Sequence, residues 1–361
     1  MAQKIFVVGG GTGGHLFPAI ATGQELIKQG YEVHLITDDR CVRYLGNKKT
    51  SFYVHLINSA GFKSGILAKI IALFRVIMAI AKTFVVLRTE RPNLVITFGG
   101  YVAFAPLLCA NLLGIPTAIH EQNCFLGKVN KWFAYRARNI FLTFKDTKNI
   151  PLGNDQKIIV SGNPVREEIS RIEVKKNFHT NPFRIIVIGG SQGAKVFSDL
   201  VPEAIEMAVA RKPNMHIEVI QQAKAEDVNR IKLIYEQCAI QCEISDFFHN
   251  IPNILSHAHL VIARSGASTI AELIQMSQPA FFVPFPFAAE KHQDFNADVI
   301  AQNGGGWWVA QNLITAKMIA DKIIETYEDR GILIKASQNL DKLKTDAARI
   351  IAKVAKKIIA S

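Results

Sequence analysis

Short runs of β-forming residues recur along the chain, each closed by glycine or proline and followed by a longer segment of helical period. The first, KIFVV (residues 4–8), runs into GGGTGGH; YEVHLIT, LVITFGG and PTAIHEQN follow, separated by helical stretches. At residue 184 the order restarts. RIIVIGGSQGAK aligns without a gap on KIFVVGGGTGGH, 180 residues upstream, and HIEVIQQ, HLVIARSG and PAFFVPFP then alternate with further helices. Strands alternating with helices build parallel βαβ units. The expected fold class is therefore α/β: two Rossmann-like domains with parallel sheets. Ligands of such sheets sit at the carboxyl ends of the strands, so a cleft between the two domains is the expected site. The polar stretch SGNPVREEISRIEVKKNFHTNPFR is the natural join. We place the domains at 1–163 and 164–340, with a terminal amphipathic helix, about 341–361, packing back on the first.

One helical run departs from this plan. GILAKIIALFRVIMAIAKTFVVL (residues 65–87) is long enough to cross a bilayer, since ~20 residues suffice. It carries Lys69, Arg75 and Lys82, however, and cations are costly at the centre of a span. Wound as a helix, it places Ile66, Ile70, Leu73, Ile77 and Phe84 on one face, read as the core face. Ile71, Arg75, Met78 and Lys82 lie opposite, apolar and cationic together, which suits the interface of an anionic leaflet. Surface contact with a membrane is expected, not a span.

Composition narrows the reading. The chain has 361 residues, 49% hydrophobic and 20% charged, with a net charge of +12. Nucleic acid would account for that charge, but no helix-turn-helix, zinc-finger or aromatic RNA-binding pattern accompanies it, so no nucleic-acid partner is expected. An anionic membrane or a phosphate-bearing substrate explains it equally well. The five cysteines lack metal-ligand spacing, which fits a reducing cytosol. MAQKIFVV runs directly into a strand, and no signal peptide is expected.

Gly9, Gly11 and Gly14 match the dinucleotide-binding spacing, and Asp38 and Asp39 end the second strand where a ribose-binding acid would stand. That nicotinamide reading leaves the second glycine loop without a role. ARSGASTIAEL (263–273) instead opens a helix at small residues after a strand, which makes an anion site without a Walker lysine. Glu272, one turn inside, can accept from both ribose hydroxyls. PFPFAAEKHQDFNA follows at the same end, offering Gln293 and Asn296 to a sugar or base. A nucleotide-sugar transferase explains both motifs.

GGGTGGHLFPA, TFGGYVAFAP, HEQN, GNPVR, GGSQGA, ARSGASTIAE and FVPFP…KHQDFNA occur in an order that closely resembles the MurG family of peptidoglycan N-acetylglucosaminyltransferases, glycosyltransferase family 28. The resemblance spans residues 4 to about 310. It implies the GT-B fold, with UDP-N-acetylglucosamine bound by the C-terminal domain. It further implies a lipid-linked N-acetylmuramyl-pentapeptide acceptor at the cytoplasmic face of the inner membrane, reached as a peripheral protein, with other cell-wall enzymes as possible partners. Residue by residue, it assigns Thr12, Gly13 and Gly14 to the first glycine loop, His15 to the general base and Asn123 to the donor sugar. Arg166 and Ser191 fall near the nucleotide and its diphosphate. Phe248 falls at a main-chain contact to uracil, on a loosely matching segment. Ala267, Ser268, Thr269, Ile270, Ala271, Glu272 and Gln293 complete the donor pocket.

The implied reaction is an inverting displacement, and an attacking alcohol needs a base. His15, at the start of a helix whose N-terminus disfavours imidazolium, is the first choice. Orienting a phosphate is its other reading, with His120 and Glu121 as substitute bases. No Asp-x-Asp pair is present to hold a metal, and neither metal nor cofactor is expected. Another GT-B nucleotide-sugar transferase, an NAD-dependent oxidoreductase and a non-catalytic nucleotide-binding protein are the alternatives.

Overall fold

The computed structural model describes residues 3–45, 52–57, 66–172, 177–190 and 194–360. They divide into two compact units, one of residues 1–167 with 345–361 and one of 168–344. In the first, β1 (Lys4–Val8) leads to α1 (Gly13–Lys28), β2 (Glu32–Thr37), α2 (Asp39–Leu45) and β3 (Tyr53–Leu56). Then come α3 (Ile66–Glu90), β4 (Leu94–Thr97), α4 (Phe104–Leu112), β5 (Thr117–Glu121), α5 (Lys128–Phe133), β6 (Asn139–Leu142) and β7 (Ile158–Val160). The strands form one parallel sheet in the order β3-β2-β1-β4-β5-β6-β7, with Val7 opposite Leu35 on one side and Ile96 on the other.

The second unit repeats the scheme. After the short α6 (Glu167–Ser170), it runs β8 (Phe183–Ile188), α7 (Lys195–Arg211), β9 (Ile217–Gln222), α8 (Ala225–Gln237), β10 (Gln241–Ser245), α9 (Ile251–Ser256) and β11 (Leu260–Ala263). It continues through α10 (Ala267–Gln275), β12 (Ala280–Phe282), α11 (His292–Gln302), β13 (Gly306–Trp308), α12 (Ala316–Glu328) and α13 (Arg330–Asp341). Its parallel sheet has the order β10-β9-β8-β11-β12-β13. Both sheets reverse direction of growth beside their first strand, β1 and β8, and such reversals are where open sheets bind ligands.

Alternation along β1 feeds two cores. Ile5 and Val7 point to the layer formed by α1 and the last helix, α14 (Ala347–Ala360), which contributes Ile351, Ala352, Ala355 and Ile358. Phe6 and Val8 point to the layer holding Leu87 of α3 and Cys109 and Ala110 of α4. The break between units after Glu167 lies four residues beyond the boundary read from sequence, so Arg166 belongs to the first unit.

Helix α3 corrects one expectation. Leu73 and Ile77, read as core-facing, are 59% and 53% exposed, and the side chains of Ile66 and Ile70 lie outside the described set. The buried stripe is Ala79, Thr83 and Leu87, flanked by Ile80 and Phe84. Small residues at 79 and 83 let the helix approach α4 closely, and the Cys109 thiol donates to the Ile80 carbonyl at 3.4 Å. Apolar residues occupy every side of this helix, so their periodicity could not choose the packed face.

Because Ile351 is fully buried in the α1 layer, Ile351→Ala should cost roughly 2–5 kcal/mol. Urea unfolding of the N-terminal unit should shift accordingly, whereas the exposed Arg349→Ala on the same helix should leave the midpoint in place.

Candidate functional site

In the first unit the site grows from the carboxyl ends of three neighbouring strands, β1, β4 and β5. Thr12 is the N-cap of α1, in extended conformation, and Gly13, Gly14 and His15 form the first turn. The exposed Thr12 hydroxyl lies 3.1 Å from Nδ1 of His15, a contact that can run in either direction with the ring tautomer. The imidazole lies over the TFGGY loop that follows β4. There Gly99 and Gly100 both take positive φ, +77° and +72°, and a Cβ on either would stand 3.5 Å from the ring. Glycine is favoured at both positions by the backbone conformation, and the imidazole packs against them.

Arg166 stacks its guanidinium 5.0 Å from the ring of Phe17, one turn further into α1. Glu167 beside it pairs with Lys28 of the same helix at 2.7 Å. Arg40 reaches the other side of the loop, within 3.5 Å of a Cβ position on Gly11, and is held by the buried Asp38. The acid that would serve a nicotinamide ribose is thus engaged by arginine.

The two substitute bases do other work. His120 is completely buried against Phe98, its Nε2 2.9 Å from the Gly162 carbonyl and its Nδ1 2.9 Å from the Gln122 amide nitrogen. Those partners define the neutral tautomer, with Nε2–H donating and Nδ1 accepting. Burial pulls its pKa down to about 4. Glu121 is buried too, and its carboxylate accepts from Asn123 N and Nδ2 at 3.1 Å and from Gly127 N and Asn130 Nδ2 at 2.9 Å. Every lone-pair direction is occupied. Neither side chain is disposed to take a proton from a substrate alcohol. Asn123 stands half-buried at the rim of this network.

In the second unit β11 ends in Arg264 and Ser265 and turns at Gly266, the N-cap of α10. Ala267, Ser268 and Thr269 are half-buried around the open end of the helix, Ile270 and Ala271 pack inward, and Glu272 is half-buried one turn along. The Ser268 hydroxyl has no hydrogen-bond partner among the described residues. The mouth is stapled to the loop after β12. Ser265 Oγ donates to the Gln293 carbonyl at 2.8 Å, Asn296 donates to the Ser265 carbonyl at 3.1 Å, and Gln293 Oε1 accepts from Phe285 N at 3.0 Å. Asn296 is therefore structural, while Gln293 retains its NH₂ for a ligand.

Arg264, not singled out by sequence, clamps this mouth from beneath, donating to the Val283 and Pro284 carbonyls at 2.8 and 2.9 Å and to Gln311 at 2.6 Å. Burial lowers its pKa to about 10, which leaves it charged at neutral pH. Phe248 lies half-buried after β10, three strands from β11, or about 14 Å at ordinary strand spacing. Ser191 lies outside the described residues. Among those residues one His–carboxylate cluster could hold a metal: Glu32, His34 and Glu90. It sits at the opposite, amino-terminal end of the sheet, where the Lys4 ammonium already lies 2.6 Å from Glu90 and 3.4 Å from Glu32.

The glycosyltransferase family 28 N-terminal domain matches residues 5–142, and the family 28 C-terminal domain matches residues 184–354. The chain is 40% identical over 367 residues to the UDP-N-acetylglucosamine--N-acetylmuramyl-(pentapeptide) pyrophosphoryl-undecaprenol N-acetylglucosamine transferase of Rickettsia felis, covering 99% of this chain and 100% of that one. A protein of the same name from Rickettsia canadensis is 40% identical over 361 residues, with the same coverage. The crystal structure of Acinetobacter baumannii MurG superposes with a TM-score of 0.79 at 24% identity, over 98% of this chain and 99% of that one. The UDP-GlcNAc 2-epimerase from Neisseria meningitidis bound to UDP-GlcNAc gives 0.67 at 15%, over 98% and 100%. These two structures show a shared fold.

His120, with its pKa held below the ordinary 6.5, favours folding above pH 6.5 and loses that contribution as pH falls toward 4. The loss should be on the order of 3 kcal/mol. Urea titrations at pH 7 and pH 4.5 should show it, and His120→Gln should flatten the slope.

Proposed function

This chain belongs to glycosyltransferase family 28, and from that premise we infer that it transfers N-acetylglucosamine from UDP-N-acetylglucosamine to the lipid-linked N-acetylmuramyl-pentapeptide acceptor. The full-length likeness to the rickettsial transferases carries this reading. It favours the transferase over the oxidoreductase alternative, and the engagement of Asp38 by Arg40 agrees.

The chemistry divides between the units. The second holds the donor: uracil near Phe248, ribose on Glu272, and the diphosphate over Ala267, Ser268 and Thr269, with Ser191 and Gln293 completing the contacts. Free N–H groups and the helix dipole at the start of α10 face the charge that develops on departing UDP. The first unit supplies His15, seated by Gly99 and Gly100, to take the proton from the acceptor's 4-hydroxyl as it displaces UDP from the far side of the anomeric carbon. Inversion follows from a single displacement. Thr12, Gly13 and Gly14 leave space for the acceptor's approach, Asn123 meets the transferred sugar, and Arg166 adds positive charge beside the loop. Neither a metal nor a cofactor is needed for these steps.

The acceptor is anchored in lipid, and charge is distributed to suit it. The first unit contains 24 of the 42 basic residues and 10 of the 30 acidic ones, a net +14, whereas the second is −2. On α3, Ile71, Leu73, Phe74, Ile77, Met78 and Val85 are exposed together with Arg75 and Lys82. No described helix is long and apolar enough to cross a membrane. An apolar and cationic face of this kind lies in the headgroup interface, which makes the protein peripheral, on the cytoplasmic side of the inner membrane where its nucleotide-sugar donor is found.

Two variants test the division of labour. His15→Ala should leave UDP-N-acetylglucosamine affinity nearly unchanged and lower turnover about 10²-fold or more. Glu272→Ala should weaken UDP binding by ~1.5–3 kcal/mol. Calorimetry with UDP and a radiolabelled transfer assay separate them; normal turnover with poor donor binding in His15→Ala would make that residue a phosphate ligand.

The membrane face has its own test. Reversing Arg75 and Lys82 to glutamate should reduce co-sedimentation with anionic vesicles at least tenfold, since each cation near the surface contributes ~1 kcal/mol. Added salt should weaken the wild type in the same direction.

A further inference from the structure

Glu121 carries a buried charge that the transfer chemistry has not yet used. Its partners are four neutral donors, and no cation lies within ion-pair distance of it among the described residues. Four donors on two oxygens require the ionised form, because a protonated carboxyl would turn one O–H toward groups that only donate. Burial raises the carboxyl pKa overall, and the donated hydrogen bonds from Gly127 N–H, Asn123 and Asn130 offset only part of that rise.

The network points in two directions. Through Oε1 it holds both the backbone and the side-chain amide of Asn123. Through Oε2 it holds Gly127, the N-cap of α5, and Asn130, whose Nδ2 also donates to the His120 carbonyl at 3.1 Å. The same Asn130 Nδ2 lies 3.3 Å from a Cβ position on Gly99, and His15 Nε2 lies 3.7 Å from that position. The buried carboxylate and the imidazole are thus separated by one amide and one glycine.

We propose that Glu121 is a positioning residue for His15 and Asn123, and that its charge balances the proton His15 accepts during transfer. Asn130 is the strut between them. The inference rests on His15 acting as the base. From the contacts above, Glu121 Oε2 is no more than about 10 Å from His15 Nε2, and at an effective dielectric of ~20 a unit charge at that range shifts a protonation by about one pH unit. Other charged or titratable groups facing the site are Asp38 with Arg40 beside Gly11, Tyr101 after Gly100, neutral His120, Lys128 on α5 and Arg166 over Phe17. They are common to wild type and variants, so their contributions cancel in the comparison.

The test measures kcat, donor KM and the pH profile of kcat/KM for the full chain with UDP-N-acetylglucosamine and a short-chain lipid-linked acceptor. Glu121→Gln should lower kcat at least tenfold, raise donor KM, and move the acid limb of kcat/KM down by about one pH unit. Adding Asn130→Asp to that variant returns a carboxylate beside Gly99, where the glutamine NH₂ can donate to it, and should move the limb back up. Asn130→Ala, which keeps the charge and removes the strut, should lower kcat with donor KM unchanged, and it decides the matter if Glu121→Gln does not fold. A folded Glu121→Gln with the wild-type acid limb overturns the proposal. So does an Asn130→Ala with wild-type kcat, or a Glu121→Gln that loses thermal stability alone. A wild-type chain that transfers no sugar would instead overturn the transferase reading itself.

Discussion

The first unit is organised around the absence of a side chain at Gly9. A Cβ there would stand 2.4 Å from the His15 carbonyl oxygen and 2.7 Å from the Ala19 methyl, distances that no side chain tolerates. Because position 9 is bare, β1 can hand over directly to α1, and the first turn of that helix closes beside the strand end. The placement of His15 follows from this approach. His15 falls in the first helical turn, and its ring reaches the loop after β4, where Gly99 and Gly100 take positive φ. The ends of β1 and β4 meet at one imidazole because the bare position 9 brings the first turn of α1 against the strand end.

The second unit uses the same open end of a helix for a different purpose. At α10 the mouth is held rigid by neighbours: Arg264 ties down the carbonyls after β12, and Ser265 and Asn296 tie the turn to α11. A site that stabilises a leaving group has to be preorganised, since donors that must reorient at the moment of reaction contribute little. The first unit's loop, in contrast, is free of bulk at the strand ends, as the proposed approach of an acceptor requires. Rigidity at the start of α10 and open space at the first glycine loop are opposite outcomes of one strand–loop–helix unit.

That unit was legible in the sequence because its glycines answer to local geometry that a motif records directly. KIFVVGGGTGGH and RIIVIGGSQGAK announced two domains, and the motifs after them announced a donor helix. The packed face of α3 was not legible, since apolar residues surround the helix and only α4 decides which side it covers. The roles of His120 and Glu121 were hidden for another reason. HEQN presents two chemically able side chains, but Glu121's donors come from residues 123, 127 and 130 and His120 donates to the Gly162 carbonyl, partners that no spacing rule connects. Arg166 followed a motif read with the nucleotide side, yet Phe17 and the Lys28–Glu167 pair bind its segment to α1.

The conflict between these influences bears on how a base can work at this position. A helix N-terminus opposes imidazolium by ~0.3–1 kcal/mol, which keeps the ring ready to accept a proton but also makes it a poorer acceptor. Burying a carboxylate about 10 Å away favours imidazolium by ~1–2 kcal/mol at an effective dielectric of ~20. The two terms are comparable in size and opposite in sign. A general base has to take a proton and then release it, so neither influence should prevail by a wide margin. A helix start alone would supply a neutral but reluctant base, and a directly bonded carboxylate would hold its proton too long. Placing the charge one amide and one glycine away lies between these extremes, which is a physical reason for a buried carboxylate whose described partners include no cation.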